Sequence, residues 1–477
     1  MSNSNNRKYV IGMIGLGTMG RNLLLNMADH GFSVSGFDLD PKKAAQLEKE
    51  GARNEVKGFT TIKDFVESLK SPRTIMMLVP AGKIVDSVIE ELLPLIDQGD
   101  IIIDAGNSHF IDTNRRVESL ESKGYHFFGM GISGGEEGAR RGPSMMPGGD
   151  KVAYKVVKPI LEAISAKVNG ESCVTYIGPG ASGHFVKMVH NGIEYGLMQL
   201  IAETYEVLRK GLKINNEAIH QVFKDWNEGK LQSYLLEITR DIFAFKDKET
   251  GKLLVDLIKD QAKAKGTGKW TSQVAMDLML SIPVIDTAVS MRDLSRYKEL
   301  RTCVAAVYSK EELKGLQSED QQVFIAKLEE AFYFSMIITY AQGMHLLMQA
   351  SEEYGYELNL AEIAKIWRGG CIIRAHFLDT IYNAFQEQPN LSHLLLDSKV
   401  ESLIQESLSD TRSIISKAIE QGIAVPAYAA SLSYFDALRS ESMPDNLIQA
   451  QRDFFGAHTY ERIGSEGSHH TNWEENN

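Results

Sequence analysis

The chain has 477 residues, a formal net charge of -12, 43% hydrophobic and 24% charged residues, so about three domains with ample buried cores are expected. The acidic balance argues against nucleic acid or a membrane surface as the main partner, because phosphate polyanions are repelled in the far field. No run of about eighteen uninterrupted apolar residues occurs, so no membrane span is expected.

In chain order, residues 8–180 alternate β-rich apolar runs with helical stretches. Strands are predicted at 9–14, 33–37, 74–79, 101–104, 126–130 and 173–177. Between them, 83–93 places Ile84, Val85, Val88, Ile89, Leu92 and Leu93 at helical spacing. Such alternation implies βαβ units and a parallel sheet covered on both faces. The stretch 9–20 resembles a signal-peptide core, but it is laced with glycines and lacks the basic start and a clean cleavage site. From 181 the strands give way to helical periodicities over 181–210, 216–244, 252–264, 321–351 and 399–420, read as one all-helical domain. After Met443-Pro444 a polar, aromatic tail follows with little core of its own, either disordered or docked elsewhere. The expected architecture is therefore an α/β domain at 1–180, an all-α domain at 181–440 and a C-terminal tail at 441–477. Cys173, Cys303 and Cys371 are few and widely spaced, which fits a reduced cytoplasmic protein without a disulfide framework or a zinc signature.

The first strand runs into Gly15-Leu16-Gly17-Thr18-Met19-Gly20 and then into a helical segment. This is the G-x-G-x-x-G fingerprint in its required strand–turn–helix context, and it makes the N-terminal domain a Rossmann dinucleotide-binding unit. Asp38, 23 positions after Gly15 and followed by Leu39 and Asp40, stands where a carboxylate accepts bonds from the adenosine ribose hydroxyls. Beside Asp38 and Asp40 a 2′-phosphate is repelled by roughly a few kcal/mol, partly offset by Lys42 and Lys43, so NAD preference is expected, with NADP possible.

At the junction of the two domains, Lys187, Asn191 and Glu194 share a narrow helical stripe at i, i+4 and i+7, with His190 beside it. An amine and a carboxylate two turns apart suit a base and an acid acting at opposite ends of a small substrate. Phe185, Val186, Met188 and Val189 supply apolar surroundings that lower a lysine pKa. Taken alone, the segment also reads as a snorkelling lysine and a solvated glutamate on an ordinary helix. Two further clusters change this. Asn107 follows the fourth predicted strand, at the sheet edge where α/β folds bind ligands. The glycines of 131–138, with Ser133, turn backbone N–H groups and a hydroxyl toward an anion. Farther on, Lys265-Gly266-Thr267-Gly268-Lys269-Trp270 lacks the leading glycine and the spacing of a Walker A loop. On their own, that segment reads as an exposed turn and Arg292 and Arg452 as surface ion-pair residues.

At these motifs the sequence resembles the 6-phosphogluconate dehydrogenase family over nearly its whole length. Five segments carry the resemblance: 131–140, 184–195, 265–270, 367–374 (Trp-Arg-Gly-Gly-Cys-Ile-Ile-Arg) and 449–460 (Gln-Ala-Gln-Arg-Asp-Phe-Phe-Gly-Ala-His-Thr-Tyr). The resemblance implies a metal-independent oxidative decarboxylation of 6-phosphogluconate to ribulose 5-phosphate, in the pentose phosphate pathway or gluconate catabolism. It implies Lys187 as base and Glu194 as acid. Ser133, Gly134 and Gly135 would hold the carboxylate, and Asn107, His190 and Asn191 the hydroxyls. Tyr195, Lys265, Thr267 and Arg292 would take the phosphate, and Arg452 and His458 would complete the partner subunit's site in a homodimer. The chain departs from the usual NADP-specific members at Asp38-Leu39-Asp40, where those have Asn-Arg-Thr. It departs again at Val79-Pro80-Ala81, where the middle position is commonly lysine and lies on the cofactor side. The nearest rival is another β-hydroxyacid dehydrogenase acting on an unphosphorylated sugar acid. A catalytically silent sugar-phosphate or dinucleotide sensor is the rival outside the enzymes.

Overall fold

The computed structural model describes residues 8–308, 316 and 320–473; the first seven and last four residues of the expected outer units lie outside it. A seven-stranded sheet takes the order β3-β2-β1-β4-β5-β6-β7. Its strands are β1 (Ile11–Ile14), β2 (Val34–Phe37), β3 (Val56–Phe59), β4 (Thr74–Met77), β5 (Ile101–Asp104), β6 (His126–Ser133) and β7 (Ser144–Gly149). The strands β1 to β6 run parallel, and β7 returns antiparallel to β6. In β1, β2, β4 and β5 every residue is buried, the continuous burial of a sheet covered on both faces. The chain moves outward from β1 to β3 and then crosses to β4, so the topological switch point lies between β1 and β4. Ligands of such sheets bind beyond the carboxyl ends of these strands.

Three sequence expectations differ here. The edge strand β3 was hidden by its half-exposed Lys57-Gly58 interior. β7 is not among the predicted strands, since Pro147-Gly148-Gly149 weakens a strand pattern, yet proline is tolerated in a strand at a sheet edge. The predicted strand at 173–177 is instead an extended segment alongside β7. It is joined by one bridge at Val174 and by bonds from Met145 N–H to the Cys173 carbonyl (3.0 Å) and from Ile177 N–H to the Pro147 carbonyl (2.8 Å).

Beyond 181 the regular elements among the described residues are helices up to a two-stranded hairpin, Tyr460–Arg462 with Ser465–His469. The helix Ser182–Glu206 continues into a π-turn at Val207–Gly211. The predicted helix over 216–244 is two, Asn216–Glu228 and Tyr234–Ala244, broken at Gly229-Lys230. The one predicted over 252–264 is absent apart from a short 3-10 turn, Leu254–Leu257. Its apolar Leu257 and Ile258 are exposed, and a stripe without a surface to bury it does not hold a short helix. The helix Gln321–Tyr354 ends at Gly355, whose φ of +64° closes it in the left-handed conformation. Two hydrophobic clusters cover the two faces of the sheet. A third fills the helical part and takes in Phe110, Met146, Cys173 and Ile177, so sheet and helices share a core. Among the described residues no helix is long and apolar enough to cross a membrane.

The tail forms the helix Asp445–Gly456 and the hairpin around one buried carboxylate. Asp453 accepts bonds from Thr459 N–H, Thr471 N–H, His470 Nδ1 and Trp473 Nε1 at 2.9–3.1 Å. Its apolar side chains Leu447, Ile448, Phe454, Phe455 and Ile463 are exposed.

Candidate active site

The loop after β1 is shaped by its three glycines in different ways. At Gly15 (φ +93°) an added Cβ would lie 2.6 Å from the Leu78 carbonyl oxygen, and at Gly20 it would lie 2.0 Å from that of Gly15. Both glycines permit close backbone packing. At Gly17 an added Cβ meets nothing within 4 Å, so this glycine keeps space free in front of the helix Thr18–Asp29. Free space, with the backbone N–H groups of Thr18 and Met19 in the first helical turn, is what an approaching pyrophosphate requires. Asp38 closes the loop from the end of β2. Its carboxylate accepts bonds from Leu16 N–H (2.9 Å) and Asp40 N–H (3.0 Å) and lies 3.2 Å from Lys43 Nζ. Burial pushes this carboxyl up, but the two N–H donors and Lys43 outweigh it and hold it below the ordinary value, ionised. Asp40 caps the helix Pro41–Glu50 through Lys42 N–H (2.9 Å), so its carboxylate is partly engaged away from a ribose. Leu39 between them is exposed. The segment Val79-Pro80-Ala81 leaves β4 across from the loop, with Pro80 and Ala81 exposed. Asn107 is exposed on the turn after β5. Asp104 fixes that turn by accepting from Gly106 N–H (3.0 Å) and Ser108 Oγ (2.6 Å), with Arg116 at 3.5 Å. These residues fit a dinucleotide.

The helix Ser182–Glu206 lies directly on the backbones of β6 and β7. An added Cβ on Gly183 would meet the Met146 and Gly129 carbonyl oxygens at 2.3 and 2.5 Å, and one on Gly131 would lie 2.3 Å from Lys187 Cβ. This approach buries Lys187, His190 and Asn191. Lys187 Nζ lies 3.4 Å from His190 Nδ1, His190 Nδ1 3.1 Å from Asn191 Oδ1, and His190 Nε2 3.2 Å from Ser133 Oγ. Burial lowers the Lys187 pKa against the opposing pull of Glu194 and Cys371. The same burial raises that of Glu194 against Lys187 and Arg292. His190 is driven well below its ordinary value, by burial first and then by Lys187, with Asn191 opposing. Desolvation thus moves all three toward their neutral forms. Neutral lysine is a base and a protonated carboxyl is an acid.

About two turns further along this helix, the Tyr195 ring is held between two elements. The Arg292 guanidinium stands 3.6 Å from its centroid, and Gly268 is so close that an added Cβ would lie 2.4 Å from Tyr195 Cδ2. Thr267 is buried at the start of the helix Thr267–Asp277, behind Gly266 in the left-handed conformation (φ +103°), and Lys265 precedes it exposed. Thr271 Oγ1 donates to the Met188 carbonyl (2.9 Å) and fastens that helix to the one carrying Lys187. Gly134 (φ +121°) lies against the Gly370 carbonyl oxygen, 2.6 Å from an added Cβ, while Gly135 (φ +63°) faces open space.

Arg452 and His458 are not joined to this cluster within one chain. Arg452 Nη1 donates to Gln449 Oε1 (3.1 Å) and His458 stands edge-on to Phe455, both inside the tail. Sequence reasoning missed the support that segment 367–374 provides. Trp367 meets the His190 ring edge-on (5.5 Å), Ile372 N–H points at Ser133 Oγ (3.4 Å), and the buried Cys371 thiol donates to the Trp367 carbonyl (3.0 Å). The segment is visible as one of those carrying the family resemblance, but nothing in it points to His190 or Ser133 as its partners.

Family models for the NAD binding domain of 6-phosphogluconate dehydrogenase and for the 6-phosphogluconate dehydrogenase C-terminal domain match residues 10–178 and 183–473. The chain belongs to the 6-phosphogluconate dehydrogenase family. A member of this family from Bacillus subtilis, described as NADP(+)-dependent and decarboxylating, is 50% identical over 466 residues, 98% of this chain and 99% of that protein. The decarboxylating 6-phosphogluconate dehydrogenase of Escherichia coli K12 is 48% identical over 470 residues, covering 98% and 99%. The solved 6-phosphogluconate dehydrogenase of Plasmodium falciparum, studied with NADP+ and with 6-phosphogluconate, superimposes with a TM-score of 0.95 at 46% identity. That match covers 97% of this chain and 100% of the other.

Proposed function

We propose that this chain catalyses the oxidative decarboxylation of 6-phosphogluconate to ribulose 5-phosphate and CO2 with reduction of NAD(P), in the pentose phosphate pathway or gluconate catabolism. The observation that carries the reading is the pair on one helix, the buried Lys187 pushed toward neutral amine and the half-buried Glu194 toward neutral acid. The bound nicotinamide supplies the hydride acceptor. Lys187 Nζ takes the proton from the C3 hydroxyl as hydride leaves C3. The resulting 3-keto acid has its carboxylate β to a carbonyl, so the C1–C2 bond breaks and its electron pair passes toward the C3 oxygen. Lys187, now protonated, stabilises that oxygen and returns its proton to it. Glu194 then protonates the carbon that becomes C1 of the ketose while Lys187 recovers the enediol proton. Ser133, Gly134 and Gly135 receive the carboxylate, Asn107, His190 and Asn191 the hydroxyls, and Tyr195, Lys265, Thr267 and Arg292 the phosphate.

The reading extends to a homodimer in which the partner's tail brings Arg452 and His458 to the phosphate end. Its support is the helix Lys298–Val307, which has no buried side chain and exposes Leu300, Val304 and Val307, and the exposed Phe454 and Phe455. Units at 1–180, 181–440 and 441–477 and a cytoplasmic location, in keeping with three free cysteines, belong to the same reading. NAD preference is supported by the ionised Asp38 and by the lack of an arginine at 38–40; the NADP(+)-dependent Bacillus relative points the other way.

Steady-state kinetics tests both levels. With 6-phosphogluconate, kcat/KM for NAD should exceed that for NADP by at least about tenfold, the effect of roughly 1.4 kcal/mol; equality or reversal removes the preference. Equal turnover of gluconate and 6-phosphogluconate would remove the phosphate assignment.

A further inference from the structure

We propose that His184 is a positioning residue, a strut that holds the strand-end turn carrying Asn107 in register with the base Lys187. It stands three residues before Lys187 on the same helix and takes no part in the chemistry above. Its ring is buried beneath β6, so close that an added Cβ on Gly129 would lie 2.5 Å from Nδ1. On one side Nδ1 lies 2.7 Å from the hydroxyl of Thr113, on the helix Phe110–Glu121. On the other, the ring faces the backbone carbonyls of Asp104 and Gly106, and with Nδ1 engaged by Thr113 this leaves Nε2 as the nitrogen toward the turn that presents Asn107. Among the described residues Nε2 makes no hydrogen bond of standard geometry, although the atom is buried.

The ring is neutral, since burial outweighs the Asp104 carboxylate and the two carbonyls, with Arg116 acting in the same sense as burial. A neutral imidazole carries one proton. On Nδ1, that proton would leave the Nε2 lone pair facing carbonyl oxygens. On Nε2, it points at the turn, and Nδ1 accepts from Thr113. The second arrangement satisfies both sides and makes the ring a bridge between three elements: the turn after β5, the helix Phe110–Glu121 and the helix of Lys187. Removing it frees the turn to drift relative to Lys187. An error of about 1 Å in such a constellation lowers turnover roughly a hundredfold while leaving remote substrate contacts in place.

The proposal rests on the roles given above to Lys187 and Asn107. The test compares His184→Leu, His184→Gln, Thr113→Val and Asn107→Ala in the full-length protein. The readouts are kcat, both KM values, the primary isotope effect with C3-deuterated 6-phosphogluconate, and Tm. His184→Leu should lower kcat roughly ten- to a hundredfold and enlarge the isotope effect. KM for 6-phosphogluconate should stay within about threefold. His184→Gln, whose amide N–H still reaches the turn, should recover part of the loss. Thr113→Val, which removes one hydroxyl and spares the fold, should lower kcat in the same direction by less. A fall in Tm with kcat and isotope effect unchanged in His184→Leu or Thr113→Val overturns the strut. If Asn107→Ala impairs turnover while those variants do not, the strut alone is wrong; if Asn107→Ala is also silent, the site reading itself fails.

Discussion

The helix Ser182–Glu206 and the tail from Asp445 onward both carry charged and aromatic residues of the kind a phosphorylated substrate needs, yet they treat them in opposite ways. On the helix, Lys187, His190 and Asn191 are buried beneath glycine-lined strands, and burial moves Lys187 and His190 toward their neutral forms. On the tail, Arg452, Phe454 and Phe455 face outward, and the one buried carboxylate, Asp453, serves only the tail's own fold. One region is finished within a single chain. The other has residues suited to a site and no site beside them. On the reading proposed above, chemistry is built where the backbone closes around a charge, while the tail's part of the grip on the substrate is left to a partner chain.

Lys187→Met should produce the largest effect. It should lower kcat/KM by about 10⁴-fold or more, the upper range of proton-transfer catalysis, with 6-phosphogluconate binding still measurable by calorimetry. Unchanged turnover would take the lysine out of the mechanism. The same variant should raise Tm by roughly 1–3 °C, because function holds an amine where burial disfavours its charge. The sign follows from linkage. Lys187 has a folded pKa below its unfolded value of 10.5, so it costs stability that grows as pH falls from 10.5 toward the lowered value. The gain in Tm should therefore shrink at alkaline pH.

Mixing two inactive proteins addresses the tail. Lys187→Met and Arg452→Ala chains, unfolded and refolded together, should recover about a quarter of wild-type activity if half the dimers are hybrids with one intact site each. No recovery would place Arg452 in its own chain's site. A smaller effect is expected from Arg292→Ala. It should raise KM for 6-phosphogluconate roughly tenfold or more with kcat changed little, as for loss of a charged, partly enclosed contact. An unchanged KM would move the phosphate elsewhere.

Much of the helix was legible before the structure because its information is local. The spacing of Lys187, Asn191 and Glu194 and the strand–glycine–helix order around Gly15 can be read from adjacent residues. What was not legible depends on partners distant in sequence. Gly131-Ile132-Ser133 reads as loop until β7 pairs with it, and Gly131 then becomes the seat of Lys187. Trp367 and Ile372 reach His190 and Ser133 across more than 170 residues, a contact no periodicity encodes. The false helix at 252–264 shows the converse: a good stripe without a neighbour to bury it. Asp40, expected as a second negative charge beside a 2′-phosphate, also caps its own helix, a role its spacing alone does not reveal.

The direct measurement is kcat/KM for 6-phosphogluconate against pH, in wild type and Glu194→Gln. Activity should rise as Lys187 loses its proton at a pH below the ordinary lysine value of 10.5, and fall as Glu194 ionises above the ordinary 4.5. The descending limb should vanish from the residual activity of Glu194→Gln. A profile that climbs only near pH 10.5, or that keeps its descending limb in Glu194→Gln, would contradict the claim that burial sets this pair as neutral base and neutral acid.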